Sequence, residues 1–137
     1  MPDLTVELDA KSSFSSRLAL VSGACLCFLA VAIGAFGAHA LADVLQQNQR
    51  LDTFELANRY QFYHGLALIL IGIWRTGHAL AGLYHCVWGF VLGTIIFSGS
   101  LYALSLSNIG VFGAITPIGG VFLLCGWSLL IYRSMRC

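Results

Sequence analysis

The chain has 137 residues, of which 58% are hydrophobic and only 9% are charged, and its net charge is +1. Soluble domains contain about 25% charged residues, so this composition excludes an ordinary water-soluble domain and favours a membrane protein. A nearly neutral chain without a basic block also excludes nucleic acid as an expected partner. The length allows one bundle and no second domain.

The amino-terminal part predicts a polar tail followed by a first membrane span. Residues 1–17 are polar, lack an apolar period and end at Arg17, which is typical of a flexible cytoplasmic tail. An apolar stretch over about residues 18–42 then reaches Asp43 without a charge. Its small residues fall on one helical face, which lets membrane helices approach closely. These residues are Gly23, Cys27, Ala30, Gly34, Gly37 and Ala38.

A second span is expected over about residues 54–74, although only 15 residues between Arg59 and Arg75 are free of charge. Fifteen residues make about 22 Å of helix, which is less than the hydrocarbon core of about 30 Å. The helix should therefore begin near Phe54 and carry Glu55 and Arg59 to the membrane surface. At this i, i+4 spacing the two side chains are expected to form an ion pair.

The carboxyl-terminal part predicts two further spans. From Thr76 to Tyr132 the chain runs for 57 positions without an Asp, Glu, Lys or Arg. That length is enough for two crossings of about 20 residues each and a short turn. We expect these spans over about residues 79–104 and 112–132. Their expected packing positions are Gly89 and Gly93, which form a G-x-x-x-G motif, and Gly119 and Gly120.

The distribution of basic residues predicts the orientation. With both termini in the cytoplasm, five basic residues lie inside and two lie outside, as the positive-inside rule favours. The inner set is Lys11, Arg17, Arg75, Arg133 and Arg136, and the outer set is Arg50 and Arg59. The predicted fold is therefore an all-α membrane protein. Residues 18–137 form one domain of four transmembrane helices in an antiparallel up-down bundle, with both termini cytoplasmic.

Polar side chains near the outer ends of the first two predicted helices form the candidate site. They are His39, Glu55, Asn58, Arg59, Tyr60, Gln61 and His64. His39 and His64 could ligate haem or a metal, or hydrogen-bond a quinone. Alternatively, each bonds to a neighbouring group such as Gln61 or Thr116 and helps to hold the bundle together. We expect this structural alternative, with no metal and no cofactor.

Four motifs together point to a family. They are Gly34-Ala35-Phe36-Gly37-Ala38-His39, Asn58-Arg59-Tyr60-Gln61-x-x-His64, Phe97-Ser98-Gly99-Ser100-Leu101-Tyr102, and Thr116-Pro117-x-Gly119-Gly120 followed by Gly126-Trp127. In this order they resemble the YgdD-like small inner-membrane proteins, the domain of unknown function 423, which has a eukaryotic transmembrane-protein branch. The resemblance covers about residues 18–132. It implies a four-helix plasma-membrane protein and implies no biochemical activity.

The expected function is that of a multi-pass protein of the bacterial inner (plasma) membrane. It contacts the lipid bilayer, and its candidate partners are other integral membrane proteins or a second copy of itself. We expect no enzymatic activity, since the sequence contains no Ser-His-Asp set, paired carboxylates or phosphate-binding loop. A structural, assembly or accessory component of a membrane complex is the first hypothesis. The alternatives are a redox subunit that binds haem or quinone through His39 and His64, and a small dimeric transporter.

Overall fold

The computed structural model of this chain describes residues 4–75 and 83–135. These residues form five helices. They are α1 (Leu4–Ala38), α2 (Ala42–Gln47), α3 (Leu51–Arg75), α4 (Leu83–Ser107) and α5 (Val111–Ser134). The all-helical fold is thus confirmed within the described part of the chain.

Three helical segments in these two ranges are long and apolar enough to cross a membrane. They are Phe14–Ala38 in α1, Leu83–Ser107 in α4 and Val111–Ser134 in α5. Helix α3 has 25 residues, the same length as α4, but it does not belong to this group. The reason is its lower hydropathy, because polar residues such as Asn58, Gln61 and His64 lie among its apolar residues, in addition to the charges near its ends.

Helices α1 and α3 pack as an antiparallel pair along most of their length. Gly72, late in α3, faces Leu20 in α1, and Gly37, at the end of α1, faces Phe54 at the start of α3. Between these two contacts, Gly23 approaches the backbone of Gly65 so closely that a Cβ on Gly23 would lie 2.6 Å from its carbonyl oxygen. The missing side chains allow this approach, which is the usual device of membrane helices.

Helices α4 and α5 form the second close pair. A Cβ on Gly89 would lie 3.1 Å from the Cα of Gly126, and one on Gly113 would lie 3.3 Å from Leu104. These contacts make the pair antiparallel. Within the described ranges, the backbone of α5 approaches no helix other than α4. Neighbouring long helices are thus antiparallel, as predicted; α1 packs against α3 and also contacts α4, whereas α5 lies beside α4.

The core lies between α3 and α4, where the two close pairs meet. Phe90, Val87 and Leu83 of α4 are fully buried against Leu68 and its neighbours in α3. Half of the apolar segment of α4 is buried, compared with 17% for those of α1 and α5. The outer helices therefore present most of their apolar surface to the bilayer, which is a suitable solvent for it.

The amino-terminal helix begins earlier than the sequence predicts. Helix α1 starts at Leu4, so most of the segment assigned to a flexible tail, residues 1–17, is helical. No glycine or proline lies between Leu4 and Arg17, so nothing in this polar segment interrupts the propagation of α1. Polarity by itself therefore does not predict an irregular backbone.

The connection between the first two long helices is also more ordered than predicted. Helix α1 ends at Ala38, four residues before the predicted limit of the span, and the N–H of Leu41 closes the end by donating to Phe36 O at 2.9 Å. The residues between the first two predicted spans, for which no helix was expected, include most of α2, whose Leu45 is fully buried. Helix α3 then begins at Leu51, three residues before Phe54. Residues 76–82, which join the second predicted span to the third and begin the third, lie outside the described residues.

Candidate functional site

One polar face of α3 is used to hold α1. The side-chain amide of Asn58 donates to Ala30 O at 2.6 Å, and that of Gln61 donates to Leu26 O at 2.9 Å. Both acceptors are carbonyl groups in the interior of α1. An amide in the membrane must find such a partner, because lipid offers none. These two side chains therefore lock the α1–α3 pair.

Asn58 also reaches α4. Its Nδ2 lies 3.3 Å from the hydroxyl oxygen of Tyr102, and the Tyr102 ring packs edge-on against Phe54 at a centroid distance of 5.1 Å. On the opposite side, a Cβ on Gly34 would lie 3.3 Å from the same amide nitrogen. The amide thus fills the space between α1, α3 and α4.

His64 occupies a different face of α3 and is only 7% exposed. Its Nε2 lies 3.2 Å from Trp127 Nε1 in α5, and its Nδ1 lies 2.8 Å from the carbonyl oxygen of Tyr60. An indole nitrogen can only donate, so Nε2 must be the acceptor. Nδ1 then carries the proton and donates to Tyr60. Both ring nitrogens of a neutral imidazole are therefore occupied within the protein.

An aromatic cluster and a cavity surround His64. The rings of Tyr60 and Phe97 stack at 4.6 Å, and those of Phe90 and Trp127 meet edge-to-face at 4.9 Å. A cavity of about 560 Å³ opens beside this cluster, between α3 and α5. Its lining residues are Tyr60, Tyr63, His64, Phe97, Gly120, Leu123, Leu124 and Trp127. The wall is almost entirely aromatic and aliphatic, with His64 as its main polar group.

Polar contacts also join α4 to α5. The hydroxyl groups of Ser100 and Thr116 lie 2.8 Å apart. The four motifs that carry the family resemblance therefore contact one another in space. The first motif meets the second at Gly34 and Asn58. The second meets the third at Tyr102 and the fourth at Trp127, and the third meets the fourth through this hydroxyl pair.

The expected packing glycines lie at helix contacts. A Cβ on Gly93 would lie 2.7 Å from Leu123 Cδ2 and 2.9 Å from the Leu123 nitrogen. Gly119 faces the backbone of Phe97, whereas Gly120 has more room and would place a Cβ 3.9 Å from the Phe97 ring. Gly37 and Gly89 face Phe54 and Gly126 as described above. Ala38 is exposed and lines a cavity between α1 and α3.

The two histidines of the candidate site are not brought together. His39 is exposed in the turn that follows α1, at the level where Gly37 faces Phe54. His64 lies ten residues farther along α3, which corresponds to about 15 Å at 1.5 Å per residue. This separation removes the basis for a joint haem or metal site. Within the described residues, no three His, Cys, Asp or Glu side chains gather in a way that could hold a metal ion.

The expected ion pair between Glu55 and Arg59 is not formed. Both side chains are exposed, and no salt bridge joins them in the described part of the chain. Water solvates each charge at this surface, so little is gained by holding two long side chains together. The two residues instead lie on the edge of the cavity that Ala38 lines, whose volume is about 210 Å³.

A polar cap at the same end of the molecule was not predicted. Asn48 Nδ2 donates to Ser105 O at 2.9 Å and to Leu106 O at 3.0 Å, and Arg50 Nε donates to Asn108 Oδ1 at 3.1 Å. The bonds of Asn48 satisfy carbonyl groups that the end of α4 leaves without helical partners. The sequence feature that could have indicated this cap is Asn108, because asparagine often follows the end of a helix. In the structure Asn108 follows α4 with a φ of 54°.

Comparison with known proteins agrees with these motifs. A family profile described as "Protein of unknown function (DUF423)" matches residues 33–120. A UPF0382 membrane protein of Staphylococcus haemolyticus is 41% identical over 120 residues, which cover 88% of this chain and 97% of the relative. A UPF0382 membrane protein of Staphylococcus saprophyticus is 43% identical over 120 residues, with 88% and 98% covered.

A more distant relative gives the same result. The UPF0382 inner membrane protein YgdD of Escherichia coli is 34% identical over 122 residues, which cover 89% of this chain and 92% of the relative. No solved structure matches the chain at a significant level. The match to the profile covers more than half of the chain, and the relatives are similar over nearly their whole length. This chain therefore belongs to the DUF423 family of membrane proteins.

Proposed function

We propose that this protein is a non-enzymatic, four-span protein of the bacterial inner (plasma) membrane and serves as a structural, assembly or accessory component of a membrane complex. The observation that carries the proposal is the use of its polar motif residues. Asn58, Gln61 and His64 use their hydrogen-bonding groups on neighbouring helices. A catalytic group must remain available to a substrate, whereas these groups hold the helices together.

The packing of α3 supports four spans. Helix α3 follows α1 from the contact of Gly72 with Leu20 to the contact of Phe54 with Gly37. A helix packed along this much of an apolar span occupies the same depth of the bilayer. The charges of α3 lie near its ends, where they can reach the membrane surface.

The surface of α5 that faces away from α4 is proposed to contact the partner. This surface is large, apolar and exposed, and Val121 and Ile131 on it are 59% and 60% exposed. Among the described helices, α5 has backbone contacts with α4 alone, so no helix of the chain covers this surface. Another integral membrane protein or a second copy of this chain would pack there in place of lipid.

Cross-linking and co-purification in a mild detergent test this proposal. We expect a stoichiometric protein partner, and we expect Val121→Ala in α5 to reduce its recovery several-fold. Phe28→Ala is the matched control, because Phe28 is 72% exposed on α1. Purification of the protein as a monomer, with no membrane protein recovered in stoichiometric amount, would contradict the proposal.

The cavity beside His64 favours a redox accessory role as the second candidate function. Its volume of about 560 Å³ and its aromatic wall suit a flat ring such as a quinone. Binding would use the aromatic rings beside His64, without His39, since both nitrogens of His64 already have hydrogen-bond partners within the protein. Quinone extraction and a visible absorption spectrum of the purified protein test this role, and loss of a bound ring in Leu124→Trp, with the fold unchanged, would support it.

A dimeric transporter has less support. An ion-coupled transporter needs an ionisable group within the membrane. Glu55 is not neutralised by Arg59, but it lies in the second turn of α3 and is exposed at the end of the molecule. A group at that level does not control a path across the bilayer.

A further inference from the structure

We propose that the cavity between α1 and α3 binds the headgroup of a zwitterionic phospholipid that carries a primary ammonium. We call it the headgroup cavity. It has a volume of about 210 Å³, and its lining includes Gly34, Gly37, Ala38, Glu55, Asn58 and Arg59. In this assignment Arg59 binds the lipid phosphate and Glu55 binds the ammonium.

The charges of the headgroup cavity match a zwitterion. Glu55 and Arg59 lie one helical turn apart, with about 5–6 Å between their Cβ atoms, and within the described residues no salt bridge joins them. Arginine donates to phosphate oxygens in a planar, bidentate geometry, and a carboxylate accepts the N–H groups of an ammonium. A ligand with a phosphate next to an ammonium satisfies both side chains at once.

The position of the cavity along the bilayer normal favours a lipid over a soluble ligand. The apolar segment Phe14–Ala38 has 25 residues, which make about 37 Å of helix. This length exceeds the hydrocarbon core of about 30 Å but not the whole bilayer of about 40–45 Å. Gly37 and Ala38, at the end of this segment, line the cavity. The cavity therefore lies in the headgroup layer, with its charges beside the lipids.

The walls leave room for such a headgroup. Gly34, Gly37 and Ala38 present almost no side-chain volume from α1. The Asn58 amide is already engaged with Ala30 O and the Tyr102 hydroxyl, so the charged groups at the edge decide which ligand is bound.

Lipid binding to the purified protein in detergent tests the proposal, with native mass spectrometry as the readout. The probes are phosphatidylethanolamine, phosphatidylcholine and phosphatidylglycerol with the same acyl chains. We expect wild type to prefer phosphatidylethanolamine, since phosphatidylcholine has no ammonium N–H and phosphatidylglycerol has no ammonium. Glu55→Gln should weaken phosphatidylethanolamine binding about tenfold and abolish the preference, as expected for one lost charge-assisted hydrogen bond.

Matched variants separate the contributions of Arg59 and of the cavity volume to lipid binding. Arg59→Gln should weaken all three lipids, because all three contain the phosphate. Asp52→Asn is the control, because Asp52 is an exposed acid in the first turn of α3 that does not line the cavity. Ala38→Phe should weaken binding by filling the cavity while both charges remain. Melting temperatures without added lipid show whether each variant is folded.

Three results would overturn the proposal. The first is a wild-type protein with no preference for phosphatidylethanolamine, which needs no variant to interpret. The second is equal competition by soluble glycerophosphoethanolamine at the same concentration, since a headgroup without acyl chains lacks the anchoring that the depth argument requires. The third is a preference that survives both Glu55→Gln and Arg59→Gln, which would place the lipid elsewhere on the protein.

Discussion

Trp127 in α5 donates its indole N–H to His64 in α3, although the backbones of these two helices do not pack together. The nitrogen atoms are 3.2 Å apart. In the described part of the chain α5 has backbone contacts with α4 alone, so this bond is a direct polar link between the two close helix pairs. It also fixes the histidine as the neutral tautomer with the proton on Nδ1.

Removal of this hydrogen bond should lower the free energy of unfolding. Trp127→Phe keeps an aromatic ring but leaves His64 Nε2 without its donor, and we expect a loss of about 1–3 kcal/mol in unfolding free energy. Unfolding in detergent, followed by far-ultraviolet circular dichroism, measures it. Trp88→Phe is the matched control, because Trp88 Nε1 is buried without a partner in the described residues. Equal losses in both variants would show that the His64 bond contributes no stability of its own.

The contact between α4 and α5 at Gly93 can be tested by a single substitution. A Cβ added there would lie 2.9 Å from the backbone nitrogen of Leu123, which cannot move without shifting α5. We expect Gly93→Ala to destabilise by about 1–3 kcal/mol and Gly93→Leu to destabilise more. Gly34→Leu should act in the same direction by displacing the Asn58 amide.

Gly99 provides the control for this series, because nothing in the described structure lies within 4 Å of its Cβ position. Gly99→Ala should be neutral or stabilise by about 0.5–1 kcal/mol, which is the helix preference of alanine over glycine. Thermal unfolding in one detergent compares all of these variants. A destabilising Gly99→Ala together with a harmless Gly93→Ala would contradict the α4–α5 contact.

The polar cap gives a third prediction. Asn48→Ala removes two donors from the last carbonyl groups of α4, at Ser105 and Leu106. We expect a loss of about 1–2 kcal/mol, less than for a fully buried pair because water reaches part of this site. Gln46→Ala is the control on the exposed side of α2. Hydrogen exchange at the end of α4 should increase in the first variant only.

The sequence was a reliable guide to three of the four predicted spans and to the small-residue faces, because lipid imposes strong rules on composition and packing. It did not predict features that depend on contacts between segments far apart in the sequence. Nothing in the order of residues states which helices become neighbours, so the backbone packing of α5 against α4 could not be predicted. The same limit applies to His64, whose partner Trp127 lies 63 positions later.

Local polarity led to wrong predictions for the amino-terminal segment and for the charged start of α3. The polar segment before Arg17 was assigned to a tail and is largely helical, because nothing in it interrupts a helix. The i, i+4 spacing of Glu55 and Arg59 favoured an ion pair, yet solvent competes for both charges at an exposed position. Their placement on one cavity could not be predicted without the contact between α1 and α3.

The separate solvation of Glu55 and Arg59 predicts additive effects on stability. Without added lipid, the changes caused by Glu55→Ala and Arg59→Ala should sum in the double variant to within about 0.5 kcal/mol. A double-mutant cycle on thermal unfolding in detergent measures the sum. A coupling well above that value would show that the two side chains form an ion pair in solution. Coupling that appears only with added phosphatidylethanolamine would instead support the shared headgroup.

The last prediction concerns α3, which decides between three and four spans. Reporter fusions after Gln49 should be external, and fusions after Gly77 and Cys137 should be cytoplasmic. Helix α3 packs along α1 from Leu20 to Gly37, so we expect it to cross the membrane beside α1. If α3 lay on the surface instead, α4 and α5 would both reverse direction and the carboxyl terminus would be external. The location of a fusion after Cys137 therefore tests the topology directly, and an external reporter there, with the reporter after Gln49 also external, would leave only three crossings.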